Sequence, residues 1–168
     1  MNYFYKYKVP NFETHKKNLL KLIYKIPLQK LHNSAVKVSH QDWSLPKDYK
    51  REYRKYFLDN ILEGYVVNCE KNFSTRELKI DNIWFQVYEK GDFHSTHTHE
   101  QTHFTNVFYI SLPDNNITKF YDFFGNPIDF DVTEGDIVTF PAFLRHGSKI
   151  NTSEGKKVII SFNLNVMD

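Results

Sequence analysis

The chain has 168 residues, 40% of them hydrophobic and 17% aromatic, with a formal net charge of +2. That length suits one domain with a substantial core, the ring-rich composition argues against disorder, and the mild charge gives no ground for a nucleic-acid or membrane partner. The single cysteine, Cys69, excludes an internal disulfide and a cysteine-type zinc site, and fits a reducing, cytoplasmic compartment; any metal must then be held by imidazole and carboxylate.

The opening Met1-Asn-Tyr-Phe-Tyr-Lys has no apolar run before a small-residue cleavage site, which reads as no signal peptide, and no stretch approaches transmembrane length. Pro10-Asn11 precedes a first helix whose apolar positions Leu19, Leu20, Ile23 and Tyr24 recur at helical spacing. After a loop over 33–42, Ser44 and Pro46 predict a second, longer helix with Tyr49, Tyr53, Phe57, Ile61 and Tyr65 on its apolar face. Lys47, Lys50, Arg51, Arg54 and Lys55 form a basic side of that helix, a pattern that most often marks a solvated face.

From Leu78 the period changes to two. Ile83, Phe85 and Val87 alternate with Trp84, Gln86 and Tyr88 up to Gly91. Further strands are expected at 106–112, 120–124, 128–132, 137–140, 147–150 and 157–166, separated by Gly125-Asn-Pro, Glu134-Gly135-Asp136 and the turn at 151–155. Short antiparallel strands in this density predict a sandwich or jelly roll. The chain thus reads as one mainly β domain over 1–168, with a helical wrapping at 1–75 and a jelly-roll core at 78–168.

His94-Ser-Thr-His97-Thr-His99-Glu100-Gln-Thr-His103 holds four of the eight histidines. In an extended segment His97 and His99 project to the same side. An isolated His-x-His is a weak signal, because ligation needs a third partner. His146, at another strand end beyond Gly135-Asp-Ile-Val-Thr-Phe-Pro141, is the candidate for that partner. Imidazoles suit iron, zinc, copper or nickel, and non-haem Fe(II) oxygenases commonly add a carboxylate to two histidines. Glu100 is the nearest carboxylate, but it would point away from both histidines if the strand continued. His94 and His103 read as rim residues or as supports behind the ligands; His15, His32 and His40 read as structural or surface residues.

Several pieces occur together in order: Trp84-Phe-Gln-Val-Tyr-Glu-Lys-Gly91, His97-Thr-His99, Val107-Phe-Tyr-Ile110, Gly135-Asp-Ile-Val-Thr-Phe-Pro141, His146 and Ile160-Ser-Phe-Asn163. This span resembles the small Fe(II)/2-oxoglutarate-dependent oxygenases often encoded by phages, and Asp42-Trp43 also looks like this group. The resemblance implies a double-stranded β-helix of cupin-like form, with Fe(II), 2-oxoglutarate and O2. It also implies hydroxylation of a substrate with oxidative decarboxylation of 2-oxoglutarate to succinate. By carry-over His97 and His146 are metal ligands. Where the broader superfamily has a carboxylate this chain has His99, taken as third ligand, with Glu100 as the alternative. No catalytic side chain is implied beyond the ligands.

The resemblance also places Lys157 where a basic residue, commonly arginine, holds the far carboxylate of 2-oxoglutarate, with Tyr109 as a second contact. Alternation puts Lys157, Ile159, Ser161 and Asn163 on one face of the last strand, toward the site, and Val158, Ile160, Phe162 and Leu164 on the other. If the turn at 151–155 joins His146 and Lys157 in one hairpin, their Cα atoms lie roughly 10 Å apart. Trp84, Gln86, Tyr88 and Arg145 are candidate pocket residues. The substrate expected is a small molecule or a peptidyl group. Two rivals stand beside this reading: a three-histidine cupin-like metalloenzyme without 2-oxoglutarate, which has no use for Lys157, and a noncatalytic jelly-roll binding or virion protein.

Overall fold

Two alternating faces on the last strand divide the molecule into layers. Val158, Ile160, Phe162 and Leu164 pack into one core, with helical residues such as Leu19, Phe57 and Tyr65, while Ile159 packs into a second core, between the sheets. The computed structural model describes residues 4–74, 77–113 and 118–167.

The strands are β1 (Tyr5–Lys8), β2 (Leu31–His32), β3 (Val36–Val38), β4 (His40–Gln41), β5 (Glu77–Tyr88), β6 (Phe93–His97), β7 (Phe104–Ser111), β8 (Thr118–Tyr121), β9 (Pro127–Ile128), β10 (Asp136–Pro141), β11 (Arg145–Ser148) and β12 (Lys157–Met167). They form two antiparallel six-stranded sheets: β1-β10-β7-β12-β5-β4, the major sheet, and β2-β3-β6-β11-β8-β9, the minor one. This is the expected mainly β jelly roll. The N-terminal segment does more than wrap it, because β1 to β4 all enter the sheets.

β11 and β12 lie in opposite sheets, which corrects the hairpin expected between His146 and Lys157. The segment between them crosses from one layer to the other, as jelly-roll connections do. Lys157 therefore meets the β11 side chains across the interior, not along a ladder.

Helices α1 (Phe12–Ile23), α2 (Glu52–Phe57) and α3 (Glu63–Phe73) cover the outer face of the major sheet, with a π-helical turn over Leu58–Leu62 joining the last two. The spacing Tyr53, Phe57, Ile61, Tyr65 explains the π turn. Steps of four residues overshoot an α-helical turn by about 40° each, and one wider turn cancels the drift. All four side chains stay buried. No described helix is long and apolar enough to cross a membrane.

The second helix begins at Glu52, not near Ser44, because Arg51 organises the preceding loop. Its guanidinium donates to the Asp42 carboxylate (2.9 Å) and to the carbonyls of Asp42, Leu45, Pro46 and Tyr49. Asp42 also accepts from Tyr53 Oη, Arg54 Nη2 and the Phe85 N–H, and is itself fully buried. The basic side of the helix is thus not simply solvated: Arg51 is buried and Arg54 is paired. His15 bonds Tyr56 Oη, and His40 accepts from the Gln29 N–H, so of the structural and surface roles expected both take the structural one.

Candidate metal centre

His97 and His146 lie directly opposite each other on paired β6 and β11. Cross-strand neighbours on one face have Cβ atoms about 5 Å apart, which places both rings at one spot. Further along the ladder His94 faces Ser148, three residues back on β6 against two forward on β11. That extra residue is a β-bulge, and it turns His94 and His97 to the same side despite their odd spacing. Their rings stack at 4.1 Å. Gly147 sits against the bulge: a Cβ there would come within 2.8 Å of the His94 carbonyl oxygen. Glycine at 147 is what lets the bulged strand close in.

His99 lies just past β6. Its N–H donates to the Ala142 carbonyl (2.9 Å), which stitches the loop to the connection between β10 and β11. Ligand nitrogens of His97, His99 and His146 all come within 4.8 Å of one another. His97 Nδ1 is 2.9 Å from the Ser95 carbonyl and His146 Nδ1 is 2.8 Å from the Leu144 carbonyl. A carbonyl can only accept, so each Nδ1 carries the proton and each Nε2 presents its lone pair. Burial, then the neighbouring imidazoles, pushes His146 down to about 3 and His99 to about 4. The rings are neutral at physiological pH, the state that ligation requires. Glu100 is exposed and stands outside this cluster. His103 is also outside; its Nδ1 accepts from the Val166 N–H.

The triad opens into a cavity of about 280 Å³ between the sheets. At its deep end Lys157 is wholly buried, with Nζ donating to Ser148 Oγ at 2.9 Å and 5.2 Å from the Tyr88 ring centre. No carboxylate pairs with it among the described residues. Burial pushes its ammonium down to about 7. A buried cation without an anion is costly.

The other expected site residues divide. Ser161, Trp84, Gln86 and Tyr88 line the cavity, whereas Tyr109 and Asn163 do not. Tyr109 Oη accepts the Thr118 N–H at 3.4 Å, and Asn163 Oδ1 accepts from Thr105 Oγ1 at 3.3 Å. Register explains the difference between the tyrosines: Lys157 stands opposite Tyr88 on β5, while Tyr109 on β7 stands opposite Ile159. Arg145 is exposed and outside the lining. Ser148, Thr118 and His94 line the cavity without having been singled out as pocket residues. Ser148 was within reach of the sequence, two residues from His146 and so on its face.

No family model and no curated protein sequence matches the chain. Solved structures do. A prolyl-4-hydroxylase from Pseudomonas putida superposes with a TM-score of 0.71 at 10% identity, covering 100% of this chain and 95% of its own. An oxidoreductase of the 2OG-Fe(II) oxygenase family from Burkholderia pseudomallei gives 0.68 at 14% identity, covering 89% and 77%. A non-haem α-ketoglutarate-dependent epimerase of nogalamycin biosynthesis gives 0.72 at 12%, covering 99% and 78%. At such identities the likeness establishes the fold, the jelly roll of the 2-oxoglutarate/Fe(II) oxygenases.

Proposed function

We propose that this chain, which shares the fold of the 2-oxoglutarate/Fe(II) oxygenases, is itself a 2-oxoglutarate-dependent non-haem iron dioxygenase that hydroxylates its substrate. The observation that carries the reading is Lys157: a fully buried ammonium with no carboxylate partner among the described residues, sharing one cavity with three converging histidines. A cupin-like metalloenzyme that binds no diacid has no use for such a lysine. A noncatalytic jelly roll has no use for either feature.

The donor set fits the cofactors. His97, His99 and His146 would hold Fe(II), with two of the three rings fixed in tautomer and direction by backbone carbonyls. Lys157 and Ser148 would hold the far carboxylate of 2-oxoglutarate, the ammonium supplying charge and the hydroxyl direction. Three neutral imidazoles leave the metal's double charge to be balanced by the dianionic cosubstrate. When bound, the iron supplies O2 activation, one oxygen atom entering the substrate C–H bond and the other the succinate formed as 2-oxoglutarate loses CO2. Val107, Ile159 and Leu31 give the cavity apolar patches beside the neutral polar Gln86, Thr105 and Ser161, and such patches disfavour water there. The relatives in fold include both a hydroxylase and an epimerase, so the hydroxylation outcome rests on this chain's resemblance and not on its fold.

Anaerobic addition of Fe(II) and then 2-oxoglutarate tests the assignment. A weak visible charge-transfer band that needs both components is expected. Its absence at saturating concentrations of both would overturn the assignment.

A further inference from the structure

We propose that the group this site acts on is uncharged and carbon-rich, and that Trp43 selects it; the proposal rests on the dioxygenase reading above. The cavity has a polarity gradient. Lys157, Ser148 and Tyr88 occupy its deep end, and one strand step outward stand Gln86 and Ile159. Trp84 and Ser161 face each other one step beyond that. Trp84 stacks on His99 at 5.8 Å with a 28° tilt, and Trp43 meets Trp84 edge-on at 5.5 Å and 82°. Two indoles at a right angle thus form a corner beside a metal ligand.

Trp43 is 66% exposed, a costly place for an indole with nothing on it. Its position is nonetheless fixed. The backbone N–H of Trp43 donates to Gln41 Oε1, and the neighbouring Asp42 is clamped by Arg51, Arg54 and Tyr53. A rigid loop that holds an aromatic ring out over a cavity is a preorganised contact surface. What it contacts follows from charge. Among the described residues, Lys157 is the only Lys, Arg, Asp or Glu in the lining, and it lies at the far end. A charged substrate group beside His99 would lose its hydration and meet no counter-charge. A saturated ring or branched hydrocarbon would instead pack against both indole faces. Free zwitterionic amino acids and ionised side chains are disfavoured on the same ground.

The test uses neutral and ionised versions of one carbon skeleton, titrated into anaerobic protein loaded with Fe(II) and 2-oxoglutarate. Suitable pairs are N-acetylproline methylamide against proline, N-acetyl-leucine methylamide against leucine, and cyclohexanecarboxamide against cyclohexanecarboxylate. Trp43 and Trp84 are the chain's only tryptophans, so indole emission reports binding directly. At least one neutral member should bind about tenfold or more tighter than its ionised partner, and Trp43→Ala should weaken that binding about tenfold. Trp43→Phe should recover part of it, and the Fe(II)–2-oxoglutarate band should persist in both variants. The proposal is overturned if no neutral member binds, if ionised members bind as well, or if Trp43→Ala binds like wild type. Loss of the band in wild type would instead strike the dioxygenase reading.

Discussion

Replacing Lys157 by methionine should make the metal-free protein more stable while removing most of its affinity for 2-oxoglutarate. Burial takes the ammonium from 10.5 down to about 7. At about 1.36 kcal/mol per unit, holding this cation in the folded core costs on the order of 3–5 kcal/mol near neutral pH. Methionine matches the stem without the charge and forfeits the bond to Ser148 Oγ, about 1 kcal/mol. A net gain of roughly 2–4 kcal/mol should appear in urea denaturation at pH 7. The pH dependence has a definite sign. Between about pH 7 and 10.5 the folded state binds fewer protons than the unfolded, so wild-type stability rises with pH and the gap to the variant closes. Cosubstrate affinity, read from the charge-transfer band, should fall about ten- to a hundredfold in the variant, the value of a charge-assisted hydrogen bond. In wild type it should weaken above about pH 7, where binding must first protonate the lysine. A methionine variant that is less stable than wild type and binds 2-oxoglutarate equally well would refute the reasoning.

His97→Ala and His146→Ala should each abolish stoichiometric iron in elemental analysis, and His99→Ala should weaken binding. His103→Ala should not, since that ring is exposed and bonded to the Val166 N–H. Because burial holds His146 near 3 and His99 near 4, metal occupancy should stay level between about pH 8 and 6 and fall only below about 5; a midpoint near 6.5, the free-imidazole value, would mean solvated rings. Asp42→Asn strands a buried Arg51 and should cost about 3–5 kcal/mol in urea denaturation, whereas a change under about 1 kcal/mol would show the clamp to be ornamental.

The sequence carried the inward face of the last strand, because Lys157, Ile159 and Ser161 alternate with strongly apolar neighbours. It also carried the three histidines. It did not carry β6, whose Phe-His-Ser-Thr-His has no apolar alternation and whose bulge breaks the period of two. The crossing between β11 and β12 was hidden for another reason: alternation reports a face, and a strand in either sheet alternates alike. Choosing Tyr88 over Tyr109 as the ring near Lys157 requires register, which is fixed by pairing between strands distant in sequence. Ser44 and Pro46 are ordinary helix-start residues, and only the carbonyls gathered by Arg51 keep that stretch from joining the helix.

The most direct measurement is release of labelled CO2 from 2-oxoglutarate carrying carbon-14 at C1. Wild-type protein with Fe(II) and O2 should release label in step with succinate, and His146→Ala and Lys157→Met should release little or none. Label released equally by wild type and His146→Ala, or by none of the proteins although iron is bound, would contradict the assignment of this cavity to 2-oxoglutarate.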